Sequence, residues 1–115
     1  MENRMMQSML LDFYGELLTE RQRSCYELHV NEDLSLSEIA EQSGISRQGV
    51  WDNIRRAEQT LREIEEKTGL VRRFTELRQG LASIERQVGE IEKNSSGELR
   101  QTAQRILREL RDLEE

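Results

Sequence analysis

The side chains best suited to chemistry lie close together near the middle of the chain. Arg47 and Gln48 carry the groups that pair with guanine and adenine edges, at about 1–3 kcal/mol of discrimination per good bidentate contact. Arg55 and Arg56 follow two turns later and suit phosphate oxygens, which fix register without reading sequence. Residues 46–57 hold three arginines and one aspartate, a local charge of +2. This pattern indicates either a nucleic-acid contact or a solvated helix face.

A sharp turn between two helices is predicted to position these side chains. Gly44 can adopt the positive φ that such a turn needs, and Ser46 is suited to cap the second helix. Val50 and Ile54 would anchor this helix, and the small Ala40 would allow a close crossing. The pattern predicts a helix-turn-helix, whose second helix meets base edges in the major groove in DNA-binding proteins. The same scaffold also serves protein contacts.

The candidate site covers the first three turns of this second helix. The residues predicted to contact nucleic acid are Ser46, Arg47, Gln48, Trp51, Asp52, Asn53, Arg55 and Arg56. Trp51 is the only tryptophan, and it is either an exposed contact or a half-buried ring against a neighbouring helix. Asp52 and Glu41 oppose binding because their carboxylates repel phosphates.

Other chemistry has little support in the sequence. Cys25 and His29 lie four residues apart, but two ligands do not make a structural zinc site, so we expect a core cysteine and a surface histidine. No nucleophile–base pair, glycine-rich phosphate loop or acid pair with an evident pocket is present. We therefore expect no catalytic residue, no metal and no cofactor in a protein that is not an enzyme.

Composition and charge limit the class further. The 115 residues suit one domain or one domain with an appendage. The net charge is −6, with 8 basic and 14 acidic residues through Gly69 and 9 of each from Leu70 onward. DNA binding by bulk attraction usually shows the opposite sign, so a local patch would have to act. A single cysteine, no apolar run of about 18 residues and no signal pattern indicate a cytoplasmic protein without a membrane span.

Every long segment has helical apolar spacing, which predicts an all-α fold. The pairs Thr19–Gln22 and Ser35–Glu38 have the spacing of capping boxes at two helix starts. The first helix is predicted to bury a face containing Met6, Leu10, Phe13 and Leu17, which Met5, Met9, Tyr14 and Leu18 widen. We expect a helix-turn-helix domain over residues 1–69 and a tail over residues 70–115.

The tail has a heptad pattern. Apolar residues recur at alternating steps of four and three, at Leu70, Phe74, Leu77, Leu81, Ile84, Val88 and Ile91, and then at Leu99, Ala103, Ile106, Leu110 and Leu113. A polar turn over residues 94–97 separates the two sets, which predicts a long amphipathic helical hairpin or coiled-coil tail. These heptads pair either within one chain or between two chains. The lean core, with 35% apolar residues, favours a homodimer.

Several runs together closely resemble the YlxM family of bacteria over about residues 8 to 67. They are Phe13-Tyr14, Leu17 to Gln22, Tyr26 to Leu28, Asp33 to Ala40, Gly44 to Gln48 and Asp52 to Arg56. More distantly, the block from Thr19 to Ala57 looks like region 4 of bacterial sigma factors, which reads promoter DNA. Two residues depart from the family, since Gly49 and Trp51 stand where alanine and tyrosine are usual. The tail also departs from it.

The resemblance implies a small, helical, cytoplasmic protein that is DNA-binding or regulatory. Family genes typically neighbour the gene of the signal recognition particle GTPase, which implies a role in that targeting pathway. The alternative is a protein-interaction module that docks this GTPase or another protein without binding DNA, and the net charge of −6 favours it. Binding to the particle's RNA is a third reading, but the sequence shows no stacking aromatics in a basic groove. The departure at Gly49 would loosen the helix at its DNA-reading end.

Overall fold

The computed structural model describes residues 4–114, and every regular element in this range is a helix. The helices are α1 (Arg4–Tyr14), α2 (Glu20–Val30), α3 (Leu36–Ser43), α4 (Arg47–Thr68), α5 (Leu70–Lys93) and α6 (Gly97–Glu114). The predicted all-α class is therefore confirmed. The chain divides into two compact units, with the boundary between Val71 and Arg72.

The first unit is built around α4, which packs against α1, α2 and α3. Apolar residues at steps of four and three give α4 a continuous buried face. The core consists of Leu10, Leu11, Tyr14, Leu18, Cys25, Tyr26, Val30, Ile39, Val50, Ile54, Ala57, Leu61 and Val71. Cys25 is a fully buried core residue, as predicted, and burial raises the pKa of its thiol.

The starts of α2 and α3 confirm both predicted capping boxes. Thr19 Oγ1 accepts from Gln22 N at 3.2 Å, and the Gln22 side chain accepts from Thr19 N at 3.2 Å. Ser35 Oγ accepts from Glu38 N at 3.1 Å, and Glu38 Oε1 accepts from Ser35 N at 2.9 Å. The hydrogen bond from the Ser35 backbone lowers the pKa of the Glu38 carboxyl below its ordinary value of 4.5. The first amides of both helices are thus satisfied locally.

The first helix is shorter than its apolar spacing suggests. It ends at Tyr14, and a single 3-10 turn follows over Gly15–Leu17. Phe13 is 40% exposed and Leu17 is 67% exposed, so the predicted face is wrong at its last two positions. Tyr14 and Leu18, which widen the predicted face, are buried, and so is Leu11, which was not part of it. The face cannot continue to Leu17 because the α-helical period stops three residues earlier.

Tyr14 is the centre of a hydrogen-bond network at the end of α4. Its hydroxyl donates to Glu65 Oε1 at 2.6 Å and lies 2.5 Å from Thr68 Oγ1. Glu65 Oε1 also accepts from Val71 N at 3.0 Å, and Thr68 Oγ1 accepts from Leu70 N at 3.3 Å. Burial, followed by the hydrogen bond to Glu65, raises the pKa of Tyr14 above 10.0. The network therefore satisfies the first amides of α5 with side chains of α4.

In the second unit the heptad residues separate into buried and exposed rows. Ala103, Leu107 and Leu110 are buried. The exposed residues retain 38–70% of their accessible area and are Phe74, Leu77, Ile84, Ile91, Leu99, Ile106 and Leu113. On α6, Ile106 of the heptad set is 38% exposed, whereas Leu107, which the heptad pattern does not include, is buried. Residues 94–96 connect the two helices.

Candidate nucleic-acid interface

A sharp turn separates α3 from α4, as predicted. Gly44 ends α3 with φ 70° and ψ 27°, a left-handed conformation that favours glycine. Ser46 Oγ accepts a hydrogen bond from Gly49 N at 3.0 Å and so caps the start of α4. Val50 and Ile39 are fully buried, so both helices are anchored on either side of the turn. The start of α4 is held away from the core, with Ser46, Arg47 and Gln48 all exposed.

Trp51 and three arginines dominate the exposed side of these turns. Trp51 is 45% exposed, and the guanidinium carbon of Arg55 lies 5.0 Å from its ring centroid, a cation–π distance. Arg47 and Arg56 are also exposed. Within residues 4–114, neither Arg47 nor Arg56 makes a hydrogen bond or an ion pair. Both guanidinium groups can therefore meet an anion or a base without breaking an existing contact.

Three polar candidates are engaged with neighbours one turn away. Gln48 Nε2 donates to Asp52 Oδ1 at 3.3 Å. Asn53 Nδ2 donates to the carbonyl oxygen of Gly49 at 2.8 Å, and the side chains of Asp52 and Asn53 are partly buried. Gln48 keeps its carbonyl oxygen and one N–H for a partner. Asn53 is directed to the helix backbone and is the least available member of the predicted set.

Gly49 lies beneath the helix cap. A Cβ atom there would stand 3.3 Å from Ser46 Oγ and 3.6 Å from Ile45 Cδ1. The helix is continuous through this position, and both backbone groups of Gly49 are engaged, the N–H by Ser46 and the C=O by Asn53. The start of α4 is therefore regular despite the glycine.

Two open grooves adjoin Trp51. The first has a volume of about 670 Å³ and is lined by Leu36, Ser46, Arg47, Gln48 and Trp51. The second, of about 400 Å³, is lined by Trp51, Ile54, Arg55, Glu58, Gln59 and Arg62. Of these lining residues, Leu36, Ile54, Glu58, Gln59 and Arg62 were not among the predicted site residues. Arg62 stands seven residues after Arg55 and so shares its helix face, a signal that the spacing contained, whereas nothing in the sequence placed Leu36 beside Trp51.

Carboxylates confine the positive charge to a small area. Glu58 accepts from Arg62 at 2.8 Å, the pairing expected at this spacing. Glu38 lies at the start of α3, where its lowered pKa keeps it ionised. Asp52 stands between the arginines along α4. The site therefore suits a few specific anionic contacts better than broad electrostatic attraction.

Other kinds of site find no counterpart in the part of the chain that the structure describes. Between residues 4 and 114 there is no group of three or more His, Cys, Asp or Glu side chains suited to a metal ion. No helix in the same range combines the length and apolarity needed to cross a membrane.

The turn, the caps and the exposed start of α4 define a helix-turn-helix protein. The chain belongs to the UPF0122 family, described as "Putative helix-turn-helix protein, YlxM / p13 like", whose family model matches residues 1–102. This confirms the resemblance to YlxM proteins and corrects its extent, which was predicted to end near residue 67. The match runs into α6, so the tail belongs to the family pattern as far as residue 102. Membership of a helix-turn-helix family suggests DNA binding.

Individual relatives agree with the family match. A UPF0122 protein of Desulforamulus reducens is 52% identical over 77 residues, which is 67% of this chain and 66% of that protein. One of Thermoanaerobacter sp. (strain X514) is 42% identical over 107 residues, or 92% of each chain. One of Bacillus cereus (strain AH187) is 43% identical over 97 residues, covering 84% of this chain and 87% of that protein.

Proposed function

We propose that this chain is a non-enzymatic, cytoplasmic regulatory protein that binds DNA through the first turns of α4. The observation that carries the proposal is the exposure of Arg47 and Gln48 directly after a capped, left-handed turn. In helix-turn-helix proteins this part of the second helix meets base edges in the major groove. A likeness to region 4 of sigma factors, which uses the same arrangement, supports the assignment.

The side chains have separable roles in this proposal. Arg47 has an unengaged guanidinium group and would pair with the O6 and N7 atoms of guanine. Gln48 retains one N–H and its carbonyl oxygen beside Asp52, the two groups that adenine N7 and N6 require. Arg55 and Arg56 would hold phosphates and fix the register. Trp51 would contact sugar or a base methyl group from the groove that it shares with Arg47.

A gel-shift experiment with genomic DNA fragments tests this function. Arg47→Ala should weaken binding to a selected fragment by about tenfold or more, because one bidentate base contact is lost. Arg23→Ala is the matched control, since Arg23 is exposed on α2 and pairs with Glu27 at 2.7 Å. Both substitutions remove one positive charge. Equal binding by Arg47→Ala and the wild type would overturn the base-reading role.

The proposed pathway is protein targeting by the signal recognition particle, and this rests on the resemblance to YlxM proteins. The competing proposal is a protein-interaction module that docks the particle's GTPase or another protein without binding DNA. The net charge of −6 and the exposed Trp51 favour it, because aromatic residues are enriched at protein interfaces. A nuclease-treated pull-down that retains the GTPase, together with no DNA shift at low salt, would decide for this module.

The heptads and the lean core support a homodimer as the working form. Light scattering at tens of micromolar should return about twice the monomer mass of 13.6 kDa.

A further inference from the structure

Each helix of the second unit has an apolar row that remains exposed, here called its open row. The open row of α5 consists of Leu77, Ile84 and Ile91, which are 60, 46 and 46% exposed. The open row of α6 consists of Leu99, Ile106 and Leu113, at 59, 38 and 70%. On α6 the alternate heptad positions Ala103 and Leu110 are buried. On α5 the alternate positions Leu81 and Val88 are partly buried, and Phe74 is 38% exposed. The open rows are therefore the most exposed part of the heptad pattern.

The two open rows are in register about the turn between the helices. Ile91 and Leu99 stand four residues from Ser95 on either side, and Ile84 and Ile106 stand eleven residues from it. Leu77 and Leu113 each stand eighteen residues from it. The heptad spacing predicts that α5 and α6 form an antiparallel hairpin, in which residues equally distant from the turn lie at the same level. In that arrangement the rows give three layers of two aliphatic side chains.

Gly80 is the second sign of an external partner. It lies between Leu77 and Ile84 along the open row of α5, about 60° around the helix from Leu77. A glycine weakens a helix interior, and a Cβ atom at Gly80 would meet nothing within 4 Å. No contact inside the described chain therefore requires this glycine. A second helix lying on the open row would require it, because the missing side chain lets two backbones approach closely.

Between Leu77 and Ile91, the stripe beside the open row of α5 consists of Gly80, Ser83 and Gln87, and Gln87 Nε2 donates to Ser83 Oγ at 3.3 Å. The charged residues Glu76 and Glu90 stand on the same stripe at its two ends. Interface centres are depleted of charge, whereas solvated helix faces carry it.

We propose that a second copy of this chain covers the open rows, so that two α5–α6 hairpins form a four-helix bundle about a two-fold axis. The axis would pass close to the middle layer, formed by Ile84 and Ile106. A two-fold interface must be complementary to itself, and layers that repeat every seven residues on both helices meet this condition. This inference assigns an interface to the proposed homodimer and is independent of DNA binding.

The size of the face sets the expected affinity. Fourteen residues of helix are about 21 Å long, and two helices side by side are about 20 Å wide, which gives a face on the order of 400 Å² before its rim is counted. Standard interfaces bury roughly 800 Å² of accessible surface per partner. The dimer should therefore dissociate in the micromolar range.

Sedimentation equilibrium of the full chain between about 1 and 100 micromolar tests the interface. The double variant Ile84→Glu/Ile106→Glu should be monomeric throughout, because it places four carboxylates around the axis. Gln79→Glu/Gln101→Glu is the matched control, with the same added charge on exposed positions outside the open rows, and should dimerise like the wild type. Circular dichroism should show unchanged helix content in both.

Two glycine substitutions provide a second test, which still applies if the glutamate double variant loses helix content. Gly80→Ala should raise the melting temperature and weaken dimerisation at least tenfold, because its methyl group occupies the line of approach. Gly89→Ala lies on the opposite side of α5, also with nothing within 4 Å of the added Cβ, and should raise the melting temperature without changing dimerisation. A wild type that stays monomeric would overturn both the dimer and its interface. A dimer that survives Ile84→Glu/Ile106→Glu and Gly80→Ala would overturn this interface alone.

Discussion

Arg47 and Arg56 differ from the polar residues around them on α4 because both have unengaged charges. Gln48 donates to Asp52, and Asn53 donates to the backbone. The spacing of residue types was enough to predict the candidate set. Which atoms remain available depends on pairing between residues four apart, and several such pairings compete along α4. The sequence could therefore propose the candidate residues, but it could not show which of them keep atoms available for a ligand.

Tyr14 offers a test at the scale of a single hydroxyl group. Tyr14→Phe should lower the free energy of unfolding by about 1–3 kcal/mol, because Glu65 and Thr68 lose a hydrogen-bond partner in a mostly buried place. Urea denaturation measures the change. Thr68→Val provides the second arm of a double-mutant cycle, and the two effects should be less than additive because the groups share one network. Additive losses would show that the hydroxyl groups of Tyr14 and Thr68 are not coupled.

At the scale of elements, helix starts were predictable and helix faces were less so. Capping depends on residues three apart in sequence, so the boxes at Thr19 and Ser35 could be identified without tertiary information. The extent of α1 depends on packing around Tyr14, which no local pattern encodes. In the tail, periodicity revealed an apolar stripe but not which half of it is covered. Leu107 shows the limit, since it stands beside the predicted seam and is buried in place of Ile106.

The capping box at the start of α3 should make the stability of the protein depend on pH in the acidic range. The pKa of Glu38 is depressed in the fold by the Ser35 backbone N–H, so its stabilising effect is present above about pH 4.5 and is lost as the pH falls through the lower folded pKa. Glu38→Gln keeps an acceptor oxygen but cannot titrate. Melting curves between about pH 3 and 6 should therefore fall less steeply for this variant, by a difference below about 4 °C. Glu41→Gln, on the same helix, should follow the wild type, and identical profiles for all three proteins would contradict the assignment.

At the scale of the whole molecule, the chain is acidic, whereas residues 46–57 carry a local charge of +2. A net charge of −6 gives little long-range attraction for DNA, so the proposed DNA binding would depend on a few close contacts. The family match extends well beyond the region whose residues suggested it. The tail was not recognisable in the same way because heptads constrain residue class and spacing but seldom residue identity.

The salt dependence of DNA binding measures how many close ionic contacts the protein makes. We expect the logarithm of the DNA association constant to fall with the logarithm of salt concentration with a slope of about −2 to −3, because Arg47, Arg55 and Arg56 are the principal cations of the face. Arg56→Ala should reduce the slope by about one, as measured by fluorescence anisotropy across a salt series. Arg23→Ala should leave the slope unchanged. A wild-type slope steeper than about −6 would indicate a much larger contact surface.

The continuity of helix α4 limits how its exposed first turns can move. Its exposed first turns and its buried residues, Val50, Ile54, Ala57 and Leu61, belong to one unbroken 22-residue rod. The end of α4 that we propose to contact DNA cannot rotate or refold without displacing the centre of the unit. Any adjustment needed for a close fit then falls to the ligand, through bending or groove widening in the DNA. Sequences that deform easily should be preferred even at base pairs the protein never touches.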